Sequence, residues 1–198
     1  DEALFVAASG VPGPVFVECA VDLLYDEALI RQWYADAAGK GRSLADRALR
    51  WYLGRHAERM FAGSNDTAAP ATRPVPLPRA ADAKCDRVAA ALSAAQRPLA
   101  VIGSQALVCG SEVAAVAHAV TRLGIPVYLS GMARGLLGRE HPRQVRHARR
   151  GALRESDCVL LAGVPCDFRL DYGRHVRRSA TLIAANRSAR DARLNRRP

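Results

Sequence analysis

The stretch Pro98-Leu-Ala-Val-Ile-Gly-Ser-Gln-Ala106 begins the part of the sequence that decides the fold. Its apolar run predicts a short buried strand over 98–102, which a Gly-Ser-Gln turn follows. The apolar spacing after this turn predicts a helix over 111–123, with Ser111 as its N-cap. A second apolar run, 125–130, predicts another buried strand. Strands that alternate with amphipathic helices indicate a parallel sheet with crossover helices.

The same alternation continues on both sides of this unit. It predicts the helices 81–96, 142–155 and 170–176, and the strands 158–162 and 180–185. The predicted fold is therefore an α/β fold with a doubly wound, mostly parallel, Rossmann-like sheet of four strands. Such sheets usually have about five or six strands. Because the chain stops at Pro198, shortly after the fourth strand, we expect the domain to be truncated at its C-terminal side.

Upstream of the sheet pattern, the sequence predicts the end of one domain followed by a linker. Residues 1–25 contain a short helical pattern, a Gly-Val-Pro-Gly turn and an apolar strand over 15–22 that needs a partner strand elsewhere. Residues 26–80 form the predicted linker, and the predicted domain with the parallel sheet covers 81–198. The linker contains two helical patterns and one proline-rich stretch: 26–37, 43–61 and 63–79.

The positive charge of the chain is concentrated in its last third. The net charge is +10, and residues 134–198 carry sixteen Arg against six acidic residues, whereas residues 1–133 carry thirteen of each sign. Such an excess can indicate a polyanion partner. Only two of the 29 basic residues are Lys, which favours a compositional bias toward Arg, and few aromatic residues lie nearby to stack on bases. Nucleic-acid binding is therefore the less favoured interpretation.

Cysteine usage and hydropathy narrow the possible cellular compartments but do not identify one. The five Cys form no CxxC pair and no zinc-like spacing, which is typical of reduced core cysteines in an intracellular, reducing environment. The sequence contains no signal peptide pattern and no apolar run near the ~20 residues of a membrane helix. The compartment itself stays open.

Candidate ligand-binding residues follow each predicted strand. Because the carboxyl ends of parallel strands share one edge of a sheet, glycines, polar side chains and an Arg there would meet a nucleotide. No GxGxxG fingerprint is present, which disfavours a standard NAD site. The candidates are Gly103, Ser104, Gln105, Gly131, Met132, Ala133, Arg134, Gly163, Asp167, Arg169 and Asn186. The histidines are dispersed, so we predict no metal ligands and no catalytic residues.

Several of these motifs resemble one enzyme family. The motifs are Gly13-Pro-Val-Phe-Val-Glu18, Pro98–Ala106, Gly131-Met-Ala-Arg-Gly-Leu-Leu-Gly138 with His141-Pro142, Cys166-Asp-Phe-Arg-Leu-Asp-Tyr-Gly173 and Asn186-Arg187. They are similar to those of thiamine-diphosphate enzymes, and among these to the acetolactate synthase-like proteins, or 2-hydroxyacyl-CoA lyases. The resemblance implies that 1–25 is the end of the pyrimidine-binding domain and that 81–198 is the central domain.

The resemblance also implies cofactors and partners. The complete enzyme would use thiamine diphosphate and Mg²⁺, act on an acyl-CoA or a 2-keto or 2-hydroxy acid, and form a homodimer or homotetramer. The central domain would hold the ADP part of coenzyme A, or FAD. Pro165 departs from the family, because relatives with a nucleotide site often carry Arg there. Association of the full-length protein with the endoplasmic reticulum membrane is compatible with the resemblance.

The catalytic parts of that family have no counterpart in this sequence. The chain lacks a Gly-Asp-Gly motif for Mg²⁺ and diphosphate, and Glu2 and Glu18 do not match the catalytic Glu. We therefore expect a scaffolding and nucleotide-binding piece of a C–C lyase that is inactive alone. Two alternatives stay open: a stand-alone module that binds CoA, FAD or NAD, and an Arg-rich domain that binds polyanions.

Overall fold

The computed structural model describes residues 2–63 and 73–198, except for the side chains of residues 22 and 23. The described residues fall into two compact units. One comprises residues 2–7, 14–63 and 73–74, and the other comprises residues 8–13 and 75–198. Within the described residues, no helix is long and apolar enough to cross a membrane.

The first unit is built around two helices, α2 (Glu27–Ala38) and α3 (Leu44–Met60), with α1 (Glu2–Ala8) at the start of the chain. Ser43 Oγ accepts a hydrogen bond from Asp46 N at 3.1 Å, and Ser43 N donates to Asp46 Oδ2 at 2.9 Å. This reciprocal capping box satisfies two donors at the start of α3. An ion pair of 2.8 Å between Arg31 of α2 and Glu58 of α3 joins the two helices. Both predicted helices of the linker are therefore formed.

The second unit is organised by a four-stranded parallel sheet in the order β2-β1-β3-β4. The strands are β1 (Pro98–Ile102), β2 (Val127–Leu129), β3 (Cys158–Ala162) and β4 (Thr181–Ala185). In register, Pro98 lies opposite Cys158, and Cys158 lies opposite Thr181. An apolar run in the sequence predicted each of these four strands.

Helices cover both faces of this sheet. The helices of the second unit are α4 (Asp82–Ala94), α5 (Val113–Leu123), α6 (Arg149–Glu155) and the short α7 (Ala189–Ala192). On one face, Ile102 of β1 packs in a cluster with Leu92 of α4 and Val120 of α5. On the other face, Val101 packs in a cluster with Leu153 of α6. The sheet is therefore doubly wound, as predicted, because successive residues of a buried strand need apolar partners on opposite sides.

The predicted strand over residues 15–22 is not formed. Residues 12–20 have no regular structure, and a 3-10 turn, Val21–Leu24, follows them. Phe16 is 87% exposed. A strand is stabilised by its neighbour, and no described strand pairs with this segment, so the apolar pattern has nothing to pack against.

Three local predictions for the second unit were also wrong. The helix predicted over 142–155 begins only at Arg149, because Val127 N of β2 donates to Arg143 O and Val145 N donates to Val127 O, each at 2.9 Å. These bonds hold the preceding residues alongside the sheet. The helix predicted from Ser111 begins at Val113, and Ser111 Oγ contacts Cys109 Sγ at 3.2 Å instead of capping it. The segment predicted as a helix over 170–176 is a 3-10 turn, Phe168–Gly173.

The structure describes only part of the proline-rich stretch over 63–79. Residues 64–72 lie outside the described residues, and residues 73–81 contain neither helix nor strand. Proline lacks a backbone N–H and disfavours helical backbone before it, which accounts for the extended course of the described part.

Candidate functional site

The four strands end together at one edge of the sheet, and their backbones are joined there. Ser130 N donates to Ile102 O at 2.8 Å, Gly103 N donates to Ala162 O at 2.8 Å, and Gly163 N donates to Ala185 O at 2.7 Å. Each bond links the residue after one strand to the last residues of its neighbour. The predicted candidate loops after β1, β2 and β3 and the residue after β4 are therefore contiguous.

The glycines at this edge are needed because the loops pack on one another. Gly163 has a φ of +69°, and a Cβ atom on it would overlap Ala106 N. A Cβ on Gly103 would lie 2.6 Å from Gly163 O, and a Cβ on Gly131, which has a φ of +58°, would overlap Ser104 Oγ. The sequence predicted that these glycines let backbone approach a ligand. In the structure they let neighbouring loops approach each other: Gly103 and Gly163 lie against backbone, and Gly131 lies against the Ser104 side chain.

Two polar candidates connect the loops. Ser104 Oγ accepts a hydrogen bond from Met132 N at 3.1 Å. Gln105 Nε2 donates to Asp191 Oδ2 at 2.7 Å, and Gln105 Oε1 accepts from Arg187 N at 3.0 Å. Because both ends of the Gln105 amide are occupied, this side chain fixes the segment after β4 against the loop after β1.

Asp167 and Arg169 form an ion pair after β3. Asp167 Oδ1 accepts from Arg169 N at 2.9 Å, and the Arg169 guanidinium donates to both carboxylate oxygens. Burial acts to raise the pKa of Asp167, but the hydrogen bonds from Arg169 outweigh it, so the pKa lies below its ordinary value. The hydrogen bond to Asp167, supported by the more distant charge of Asp191, raises the pKa of Arg169. The charge of Arg169 is thus largely compensated within the protein.

Asn186, directly after β4, carries the unsatisfied polar atom of this edge. Its Nδ2 donates to Val164 O over a long 3.5 Å, and its buried Oδ1 has no hydrogen-bond partner among the described residues. A buried acceptor without a partner costs about 1 to 3 kcal/mol. This oxygen is therefore a position where a donor from a bound molecule would be stabilising.

Two of the remaining candidates face solvent. Met132 is 67% exposed. Arg134 is exposed, and within the described part of the chain its guanidinium has neither a hydrogen bond nor an ion pair. Ala133 is fully buried, in the cluster that contains β1 and α5. The edge thus offers one buried acceptor, one unpaired cation and one exposed thioether to a ligand.

Sequence reasoning missed a group of arginines beside this edge. Arg146, Arg149 and Arg150 line a cleft together with Arg134 and Arg139 of the loop after β2. The signal was present as four Arg between residues 143 and 150. It was assigned to a helix from Pro142, which would have distributed these side chains around the helix axis.

The strands, their order and the helices on both faces define a Rossmann-like α/β domain. The sequence profile of the "Thiamine pyrophosphate enzyme, central domain" family matches residues 85–198. The chain belongs to this family, as the resemblance of its strand-end motifs predicted.

Individual relatives agree with this assignment. The chain is 42% identical over 193 residues to 2-hydroxyacyl-CoA lyase 2 of Bos taurus and 41% identical over 193 residues to that of Homo sapiens, which in each case covers 98% of this chain and 30% of the relative. It is 41% identical over 102 residues to an acetolactate synthase large subunit of Mycobacterium tuberculosis, which covers 52% of this chain and 18% of the relative. The chain thus spans about a third of the length of the lyases that it matches.

The chain is also similar to a solved structure, that of a Mycobacterium smegmatis chain assigned to the thiamin diphosphate-dependent enzymes. It is 21% identical, covers 60% of this chain and 25% of that chain, and has a TM-score of 0.40.

The described residues do not fit the Mg²⁺ that the family implies together with thiamine diphosphate. Within residues 2–63 and 73–198, no three His, Cys, Asp or Glu side chains are grouped so that they could hold a metal ion. The sequence contains no Gly-Asp-Gly. A diphosphate held through Mg²⁺ needs oxygen ligands at fixed positions, and these residues do not supply them.

Proposed function

We propose that this chain is the central-domain part of a thiamine-diphosphate-dependent C–C lyase of the 2-hydroxyacyl-CoA lyase type. In this proposal the domain binds the nucleotide part of the acyl-CoA and carries no catalytic residue. The observation that supports it most is coverage: the relatives named 2-hydroxyacyl-CoA lyase match 98% of the chain, and the acetolactate synthase matches 52%. The complete protein would be a homodimer or homotetramer that uses Mg²⁺ with its thiamine cofactor.

The proposed nucleotide site is the carboxyl edge, centred on Asn186. Its unpartnered Oδ1 would accept a hydrogen bond from a ribose hydroxyl or from the adenine amino group. The exposed Met132 would contact the base, and Arg134 would pair with a phosphate. Ser104 and Gln105 would hold the loops in place, since their side chains are already bonded within the protein. Preorganised loops lose less conformational entropy on binding.

Asp167, Arg169 and the glycines have supporting parts in this proposal. Arg169 is paired with Asp167, so its charge is available to a phosphate only if a ligand competes with that carboxylate. Gly103, Gly131 and Gly163 permit the close contacts between loops that create the edge. FAD is the alternative nucleotide, and Pro165 at the position of the family's Arg removes one cation from its site.

The proposal is tested by calorimetric titration of the full 198-residue chain with CoA, FAD and NAD. We expect CoA to bind. Asn186→Ala should lower the affinity for CoA about threefold to tenfold, which corresponds to the loss of one hydrogen bond. Gln96→Ala is the matched control, because Gln96 is an exposed amide before β1 at the opposite edge of the sheet. It should leave the CoA affinity unchanged.

Three outcomes would contradict the proposal. FAD binding in preference to CoA would favour the acetolactate synthase-like alternative, and NAD binding in preference to both would favour a stand-alone module. Failure of all three to bind the folded chain would leave the domain a scaffold without a nucleotide.

A further inference from the structure

The arginine cleft lies beside β2 at the carboxyl edge and has a volume of about 870 Å³. We define it by Arg134, Arg139, Arg146, Arg149 and Arg150, which line it with Tyr128, Leu129 and Val145 among others. No Asp or Glu of the described residues lines the cleft. Cavities of roughly 300–1,000 Å³ are typical of small-molecule sites.

Two of these arginines are fixed by backbone carbonyls and an amide. Arg146 Nη2 donates to Arg139 O at 2.7 Å, and Arg149 Nη2 donates to Arg169 O at 2.5 Å. With the Gln144 amide oriented to satisfy its hydrogen bonds, Gln144 Oε1 accepts from Arg146 Nε at 3.0 Å, and Gln144 Nε2 donates to Gly138 O at 3.0 Å. These neutral acceptors restrict the side chains without cancelling their charge.

Tyr128 fixes the segment that carries both arginines. Tyr128 is buried in β2, and its hydroxyl donates to His147 O, between Arg146 and Arg149, at 2.6 Å. Burial raises the pKa of Tyr128, against the opposing influence of the nearby Arg149 charge. The hydroxyl therefore stays protonated at neutral pH and keeps donating to this carbonyl. The wall of the cleft is thus tied to the central sheet.

Most of the positive charge in the cleft is uncompensated. Arg150 Nε pairs with Asp171 Oδ2 at 3.1 Å, and Arg139 Nε lies 3.8 Å from Glu140 Oε1 with both side chains about nine-tenths exposed. Arg134, Arg146 and Arg149 have no carboxylate partner within 4.0 Å in the described part of the chain. Three like charges that the fold keeps beside one cavity raise the local concentration of anions.

We propose that the arginine cleft binds a small molecule that carries two or more linked phosphate groups. The planar guanidinium group suits phosphate oxygens, and three arginines without a carboxylate partner carry more positive charge than a single phosphate needs. The apolar wall of Tyr128, Leu129 and Val145 and the volume of the cleft suit a compact organic phosphate. A nucleic acid would instead need an extended basic surface with aromatic side chains for stacking.

Inorganic diphosphate is the probe for the test, with inorganic monophosphate and a single-stranded RNA for comparison. Binding to the full chain is measured by calorimetry at 50 mM and 200 mM NaCl. We expect diphosphate to bind more tightly than monophosphate and to weaken as the salt concentration rises. Arg146→Gln should lower the affinity for diphosphate on the order of tenfold, because it removes a charge-assisted hydrogen-bonding group.

Two further variants test two separate points. One tests whether binding needs the planar guanidinium group and not only its charge, and the other tests the cleft without removing contacts that stabilise the fold. Arg149→Lys keeps the charge but loses the planar fork, so it should also weaken diphosphate, by about threefold or more. Arg134→Gln removes no hydrogen bond or ion pair within the described residues, so it tests the cleft without disturbing the fold. The matched control is Arg178→Gln, at an exposed residue before β4 at the opposite edge, which should change affinity less than about twofold.

The proposal is overturned if folded protein does not bind diphosphate, if Arg178→Gln weakens binding as much as Arg146→Gln, or if RNA binds and diphosphate does not. It goes beyond the proposed nucleotide function. The two sites share Arg134 but differ in their other residues, so the two proposals can fail separately. Diphosphate has neither ribose nor base, so Asn186→Ala should leave diphosphate binding unchanged. CoA binding without diphosphate binding would contradict the arginine cleft alone.

Discussion

Gly163 has a conformation and surroundings that exclude every side chain. Its φ of +69° is left-handed, and a Cβ there would overlap the backbone of Ala106. Gly163→Ala should therefore lower the free energy of unfolding by about 2 to 3 kcal/mol, measured by urea denaturation. Gly151→Ala is the control, because Gly151 lies in α6 with nothing within 4 Å of its added Cβ. Alanine should stabilise that helix by about 0.5 to 1 kcal/mol. An equal loss at both sites would contradict the packing of the loops.

Asp167 should make stability depend on pH in the acidic range. Its pKa is lowered in the folded protein, so the stability from its charged form is present at neutral pH and is lost as the pH falls through the folded pKa. Asp167→Asn should cost about 1 to 2 kcal/mol at pH 7 and clearly less at about pH 3, where the carboxyl of the unfolded chain is largely protonated. Urea denaturation at the two pH values measures both differences. The same change at the exposed Asp86 of α4 should stay within about 0.5 kcal/mol throughout.

At the scale of elements, α6 secures one face of the sheet mainly through Leu153. Leu153 is 2% exposed and packs in the cluster with β1 and β3, whereas Leu123 at the end of α5 is 39% exposed. Leu153→Ala should destabilise the protein by about 2 to 4 kcal/mol, because a cavity forms in addition to the lost burial. Leu123→Ala should cost clearly less. Thermal or urea unfolding of the two variants gives the comparison, and similar losses would mean that α6 does not cover the core.

The sequence was sufficient for elements that are stabilised by their own apolar pattern. Three of the four strands are largely buried in a parallel sheet, so an apolar run identifies them, and β1 and β3 begin and end where predicted. β4 is only partly buried, but it carries an apolar run as well. The sequence was insufficient wherever a distant backbone determines the local structure. Residues 143–145 follow β2 instead of forming a helix, and residues 15–22 do not become a strand without a neighbour.

The candidate site also has one feature that could be predicted from the local sequence and others that depend on distant parts of the chain. Its position could be predicted, because strand ends of a parallel sheet always share one edge. The hydrogen-bond partners of its side chains could not be predicted. Gln105 bonds with Asp191, 86 residues later in the chain, and no local pattern indicates such a pair. The arginine cleft could not be predicted for the same reason. Its arginines come from a loop and from the start of a helix, which only the folded chain brings together.

At the scale of the whole molecule, the proposed lyase chemistry should be absent from the isolated chain. We expect no aldehyde release from a 2-hydroxyacyl-CoA when the chain is supplied with thiamine diphosphate and Mg²⁺, because the sequence has no Gly-Asp-Gly and residues 2–63 and 73–198 contain no group of side chains that could hold the metal ion. A coupled aldehyde dehydrogenase assay measures release, and a relative that carries the Gly-Asp-Gly motif serves as the positive control. Turnover above that of a boiled sample would contradict the assignment of this chain to a non-catalytic role.

The strand order β2-β1-β3-β4 also bears on how the chain is made. β1 lies between β2 and β3, and its register with β3 joins Pro98 to Cys158, so 60 residues separate the paired positions. At about 5 to 20 residues per second, a ribosome needs roughly 3 to 12 s to add that length. During this interval one side of β1 can find β2 while its other side waits for a strand that has not been synthesised. A nascent chain arrested when β2 but not β3 has emerged from the ribosome should therefore present an open β1 edge to chaperones, and one arrested after β3 has emerged should not.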